Sequence, residues 1–264
     1  MSVQAEGAVE RPFETIRLES DGPIVWLTLD RPQVLNAMSG QMRDELLLAL
    51  DEVSKGPWRC LVMIGAGRCF SSGADLSSFL DEVVASDPDS VRDYMRRWSA
   101  VIRGIRSLPV PVVVGLHGPV YGGGMNLALA GDLLIAAADT VLCESYVDIG
   151  VAVDLGGSWL LPRLVGAGLA RRLLLLGDRI DAAEAERLGL VGEVTEPDRL
   201  HEAVRSCAER LASKDPSTVG VIRRLIDQSL ESDLDDALEA EARAVSGIVS
   251  RPAFQEAVAR FRSD

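Results

Sequence analysis

The sequence predicts an α/β protein, and three observations carry that expectation. Through about residue 196, short runs rich in β-branched and aliphatic residues alternate with stretches whose apolar residues recur at helical spacing. From Pro197 onward the pattern is helical throughout. The chain has 264 residues, 47% hydrophobic and 25% charged, a makeup that supports a substantial buried core. The expected organisation is a loose tail over 1–12, a βα core over 13–196 and a helical region over 197–264.

The elements follow in order. "ETIRLES" and "PIVWLTLD" read as strands joined at the turn signal Asp21-Gly22. "RPQVLNAMS" reads as a loop, and Ser39 as the cap of a helix to about Val53 with Met42, Leu46, Leu47 and Leu50 on one face. "RCLVMIGAG" is a short buried strand, "CFSSGADLSSFL" a loop entering a helix, and 89–106 a helix. "VPVVVGLHG" and "DLLIAAA" are strand-like, with a glycine triplet opening a helix between them. "LGGSWLLPRLVG" reads as a glycine turn, a short helix and a stop, followed by the helix "ARRLLLLG". "DAAEAERLG" is a helix capped by Asp181, "LVGEVTE" a short strand, and 197–213, 216–230, 233–248 and 251–262 are helices. Strand–helix units about 40–50 residues apart suggest a superhelical stack.

The formal charge is −13, without a Lys/Arg run longer than two, which argues against nucleic acid and anionic membranes as partners. No apolar run reaches the roughly 20 residues that span a bilayer, and the first residues lack the apolar core of a secretory signal. Cys60, Cys69, Cys143 and Cys207 are too widely spaced for a CxxC site, so no metal is expected; four free thiols and a cytoplasmic location are.

The stretch "HGPVYGGGMNLALAGD" shapes a helix start with three glycines and offers no acid, base or nucleophile after them. Helix N-termini present unpaired N–H groups that can hold an anion or a developing oxyanion. "CFSSGADLSSF" has the same form about 50 residues earlier, so two N–H donors could meet at one oxygen. A phosphate-binding loop fails for want of G-K-[ST], and a dinucleotide fold for want of G-x-G-x-x-G. A Ser–His–Asp triad lacks a G-x-S-x-G elbow and would have to use His117, since His201 sits on the polar helical tail.

Together with "LDRPQVLNAMSGQM", "IGVAVDLGGSWLLPRLVG", "LLLLGDRIDAAEAERLGLVGEV" and "FQEAVARFR", these segments resemble the enoyl-CoA hydratase/isomerase, or crotonase, family in order over roughly residues 12–262. The resemblance implies a crotonase-like spiral of ββα units with a C-terminal helical trimerisation region, assembling as a homotrimer or a hexamer. It implies an acyl-CoA thioester as substrate, no separate cofactor, and main-chain N–H groups of Ala74 and Gly123 as the oxyanion hole.

In hydratases of the family two glutamates activate water. Their places here fall on Asn126 and Tyr146, neither of which is a carboxylate base near neutral pH. Glu144 lies two residues before Tyr146; a shift of the alignment would make it one of the pair, and otherwise it is a solvated or paired loop acid. Asp154 matches the single aspartate of family isomerases, with Val153 where proline is usual. An apolar setting would raise its pKa and suit it to proton transfer, while local sequence alone would make it a helix cap. The resemblance therefore points to thioester enolate chemistry with Asp154 as proton shuttle, moving a double bond or opening a strained ring. The alternatives are a hydratase using Glu144 or a water held by Asn126 and Tyr146, nucleophilic use of Asp154 on an aryl-CoA, and an inactive acyl-CoA-binding paralogue. Expected CoA contacts are Leu35, Ala37, Ser72, Asp75 and Leu76, with Arg31, Arg68 and Arg262 as cations for the phosphates; Asp75 is also expected to stabilise a helix start. Leu80, Val84, Tyr94, Met95 and Trp98 are candidate lining for the acyl pocket.

Overall fold

The computed structural model describes residues 13–83 and 87–261. The expected tail, Val84 and Arg262 lie outside them. In chain order the elements are β1 (Ile16–Asp21), β2 (Ile24–Leu29), α1 (Gly40–Lys55), β3 (Cys60–Gly65), α2 (Leu76–Glu82), α3 (Pro88–Ser107), β4 (Val112–Leu116), β5 (Pro119–Tyr121) and α4 (Gly123–Leu129). There follow β6 (Leu133–Ala137), β7 (Val141–Cys143), α5 (Gly157–Leu176), β8 (Arg179–Asp181), α6 (Ala182–Arg187), β9 (Glu193–Thr195), α7 (Leu200–Ala212), α8 (Pro216–Ser229), α9 (Leu234–Val249) and α10 (Pro252–Phe261).

The main sheet runs β1-β2-β3-β4-β6-β9, all parallel except the β1–β2 hairpin. Parallel pairing requires crossovers, and the helices supply them. The central strands are buried on both faces, which is why they read as continuous apolar runs. On β3, Leu61 and Met63 join the core under α1 and α3, while Cys60 and Val62 face the cluster covered by Val204 and Ala208 of α7. The two-residue period of a strand thus divides one short segment between two cores.

A second sheet, β5-β7-β8, was not foreseen. Its strands have three residues each, too few for a period to show. It explains the spiral: after β4 the chain adds β5 to the small sheet before α4, and after β6 it adds β7 before α5. The spacing is less regular than expected. Main-sheet strands begin at residues 24, 60, 112 and 133, because α3 lengthens one turn and the seven-residue α4 shortens the next.

The expected stop within α5 is a break at Gly166, at φ 77° and ψ 157°. The caps at Ser39 and Asp181 form, accepting from the N–H groups of Met42 and Glu184. The four terminal helices match their expected positions, but only α7 packs deeply. α8 is tied down by Arg223, which bonds Asp132 and the carbonyls of Leu108 and Ile105. Ile222, Ile226, Leu234 and Leu238 of α8 and α9 are more than half exposed.

Candidate active site

The site is assembled by loops that leave successive strands and lie side by side. Ser72 N–H donates to Leu35 O, Met38 N–H to Gly73 O and Asp75 N–H to Met38 O, joining the loop after β2 to the loop after β3. Phe70 N–H donates to His117 O and Tyr121 N–H to Ser71 O, adding the segment around β5; Gly122 N–H donates to Cys143 O, adding β7. Ala74 and Gly123 stand out in this ladder. Among the described residues neither N–H has a partner. For Gly123 the reason is its place as first residue of α4, where no preceding turn exists. The two loops touch here: a Cβ built on Gly73 would lie 3.7 Å from the Gly123 nitrogen.

Asn36 organises the first loop, and sequence reasoning passed over it. It is fully buried at φ 52°, a left-handed conformation that asparagine tolerates better than most residues. Its Oδ1 accepts from Arg31 N–H at 2.8 Å, and its Nδ2 donates to Ala66 O and Cys69 O, each at 2.9 Å. Its carbonyl accepts the Ser71 hydroxyl at 2.9 Å. The only sequence signal was an Asn in "VLNAM", a residue type suited to such a turn. Asn36→Ala strands three backbone groups, one buried and two half-buried, and we expect about 3 kcal/mol of lost stability, read as a lower urea midpoint. An unchanged midpoint would contradict that account.

The acidic end of the site lies on the neighbouring turn. Tyr146 is buried and donates its hydroxyl to Asp154 Oδ1 at 2.5 Å. Asn126, in α4 and fully buried, donates Nδ2 to the Tyr146 oxygen and to the Asp154 carbonyl, each at 3.0 Å. Burial pushes the Asp154 carboxyl up to about 6, and the Tyr146 hydrogen bond only partly opposes it. Burial and Asp154 together push the Tyr146 phenol up, so it acts as a donor. The cap reading for Asp154 fails: α5 starts after Gly156 with no side-chain cap, and Asp154 accepts Gly157 N–H through its carbonyl. The reading of Glu144 as a solvated or paired loop acid is also overturned. Glu144 is 1% exposed, neither carboxylate oxygen has a hydrogen-bond partner, and burial followed by the charge of Asp154 pushes its carboxyl up to about 8.

The expected CoA contacts divide. Arg31 is not a free cation: its guanidinium bonds Asp75 at 2.8 Å and the Ala37 carbonyl. Asp75 is occupied too, capping α2 through Ser78 N–H, and that arrangement holds its carboxyl below the usual range despite partial burial. The pair therefore braces the loop that carries Ala74. Arg68 is exposed and has no ion-pair partner among the described residues. Leu35 and Ser72 are half-buried, Ala37 is buried and Leu76 is exposed. Of the candidate lining residues, Tyr94 and Trp98 are core, with Tyr94 edge-on to Phe79. Met95 is half-buried and Leu80 is 63% exposed.

No group of three His, Cys, Asp or Glu suited to a metal occurs among the described residues, and no described helix is long and apolar enough to cross a membrane. Residues 19–263 match the Enoyl-CoA hydratase/isomerase family model. The chain is 32% identical to 1,2-epoxyphenylacetyl-CoA isomerase of Escherichia coli K12, over 90% of this chain and 91% of that protein. It is also 32% identical to crotonyl-CoA hydratase of Syntrophomonas wolfei, over 88% of each. The crystal structure of enoyl-CoA hydratase from Bacillus anthracis superposes with a TM-score of 0.89 at 29% identity, covering 95% of this chain and 96% of that one. Stacked loops with two unpartnered N–H groups, a half-buried carboxylate on the neighbouring turn and a match that spans the described fold give one conclusion: this chain belongs to the enoyl-CoA hydratase/isomerase family.

Proposed function

We propose that the protein isomerises an acyl-CoA thioester by moving a proton between two carbons of the acyl chain. The thioester oxygen is held by the N–H groups of Ala74 and Gly123, each contributing about 3–4 kcal/mol to an enolate-like transition state. Asp154 takes a proton from one carbon, and the C–H electrons pass into the enolate. The same proton then returns from the Asp154 carboxyl to a second carbon, leaving the double bond moved and no atom gained or lost. No separate cofactor enters this chemistry; the CoA thioester is the substrate. Arg68 is the available cation for a CoA phosphate, and Arg68→Ala is expected to raise KM several-fold with kcat retained. A KM equal to wild type would remove Arg68 from that role.

The observation that carries the proposal is Asp154: a half-buried carboxylate pushed up to about 6 and held by Tyr146, in a site where Asn126 and Tyr146 stand at the hydratase acid places. Hydration through Glu144 has less support. That carboxyl is 1% exposed and is pushed up to about 8, so near neutral pH it has neither the charge nor the access to activate water. The test is a panel of acyl-CoA thioesters scored for double-bond movement and for hydration. Isomerisation is expected to dominate, with kcat/KM falling as pH drops through about 6 because the base must be ionised. Hydration of crotonyl-CoA as the main activity would overturn the reading.

A further inference from the structure

The proton-shuttle reading uses Asp154 and Tyr146 and leaves Glu144 without a task. Three buried, unpartnered side-chain atoms gather around this acid: Asn126 Oδ1 and both Glu144 carboxylate oxygens. Each is costly to leave alone, on the order of 1–3 kcal/mol. Asn126 cannot satisfy an ionised Glu144, because both hydrogens of its Nδ2 are already committed to the Tyr146 oxygen and the Asp154 carbonyl. What Asn126 offers on its remaining side is an acceptor, Oδ1. An ionised carboxylate is also an acceptor, whereas a neutral acid carries one O–H donor.

We propose that Glu144 is a positioning residue: as the neutral acid it donates its O–H to Asn126 Oδ1 and so fixes the amide in the orientation that holds Tyr146 and the Asp154 segment. The side chain of Asn126 lies next to Glu144 and by itself pulls the carboxyl down, but burial and the charge of Asp154 outweigh that pull and favour the neutral form. The titratable groups around Glu144 agree. Asp154 faces it from the following loop and disfavours a second negative charge, and Glu144 in turn helps keep the Tyr146 phenol neutral. The Cys143 thiol beside it is itself pushed up by burial and by Asp148. Tyr94 of α3 faces Asp154. From α4, the neutral Asn126 faces this acid. Two carboxyls thus share one site in different protonation states near neutral pH, Asp154 ionised for chemistry and Glu144 protonated for structure.

The assignment rests on the isomerase reading only for its kinetic readout, so the experiment has two arms. In the first, difference infrared spectra of the substrate-free protein, wild type minus Glu144→Gln, report the carboxyl directly. A protonated-carboxyl band is expected at pH 7, fading as pH rises through about 8. An ionised Glu144 at pH 7 overturns the proposal. In the second arm, Glu144→Gln, which keeps an N–H donor for Asn126, is expected to retain kcat within about threefold and to lose any alkaline limb due to Glu144. Glu144→Met, close in size but without a donor, is expected to lower kcat about 10- to 100-fold at unchanged KM. Glu144→Gln as impaired as Glu144→Met overturns positioning in favour of proton transfer by Glu144. If the methionine variant does not fold, the infrared arm and the glutamine variant decide. A neutral Glu144 in a protein that isomerises no thioester sinks the isomerase reading and leaves the hydrogen-bond assignment standing.

Discussion

Asp154→Asn is expected to lower kcat for isomerisation by about 10²- to 10⁴-fold while the affinity for a CoA thioester stays within a few-fold. The substitution is narrow. Asparagine retains Oδ1, so it still accepts from the Tyr146 hydroxyl that now meets Asp154. The Asp154 carbonyl keeps its bonds from Asn126 and Gly157, so the turn into α5 is unaffected. What disappears is a group able to accept a proton from carbon. Binding survives because the proposed thioester contacts are main-chain N–H groups of other loops. The measurement pairs single-turnover rates with calorimetric binding of a non-reactive thioester analogue. A kcat within tenfold of wild type would remove Asp154 from the chemistry, and lost binding at normal stability would make it a contact residue. The acid limb near 6 should vanish along with the activity, since it is assigned to the same carboxyl.

Which features were legible in the sequence follows from how local they are. Ser39, Asp75 and Asp181 each bond an N–H within three residues, and each could be read from a short window. The buried strands announced themselves as apolar runs. The small sheet did not, because its strands earn their pairing only when three distant turns stack. Arg31 and Asp75 are separated by 44 positions, so their pairing could not be read from either segment, and Arg31 looked like an unclaimed charge near the nucleotide end until the fold paired it. Glu144 is the sharpest case. Its sequence neighbours suggest a surface loop, yet its carboxyl is sealed by Asn126 and by the turn containing Asp154. A protonation state is set by what surrounds a group in space, and here those surroundings come from α4 and from the turn that carries Asp154. The resemblance drew attention to Asp154, Tyr146 and Asn126, and the structure brings them into contact, but only coordinates could separate a carboxyl pushed up to about 6 from one pushed up to about 8.

The glycine stretch yields the second large expected effect. Gly122→Ala should lower kcat about 10²- to 10³-fold, the loss typical of removing one oxyanion donor, whereas Gly123→Ala should stay within about tenfold. The contrast comes from backbone geometry. Gly122 sits at φ 49° and ψ −121°, the first central position of a type II′ turn, which an L-residue with a Cβ strongly resists. Space is not the obstacle, since the added Cβ would meet nothing closer than 3.6 Å. The relief available to alanine is rotation of the peptide between residues 122 and 123, and that peptide carries the Gly123 N–H. Rotating it turns the proposed donor away from the thioester oxygen. Gly123 itself has no positive φ, and its added Cβ would meet the flexible end of Met38 at 3.1 Å, so the N–H keeps its direction. Steady-state kinetics on both variants, with thermal midpoints to confirm folding, reads the difference. If Gly123→Ala is the more damaged of the two, the side-chain-free surface at that position matters more than the aim of its N–H, and the main-chain donor is assigned to the wrong residue.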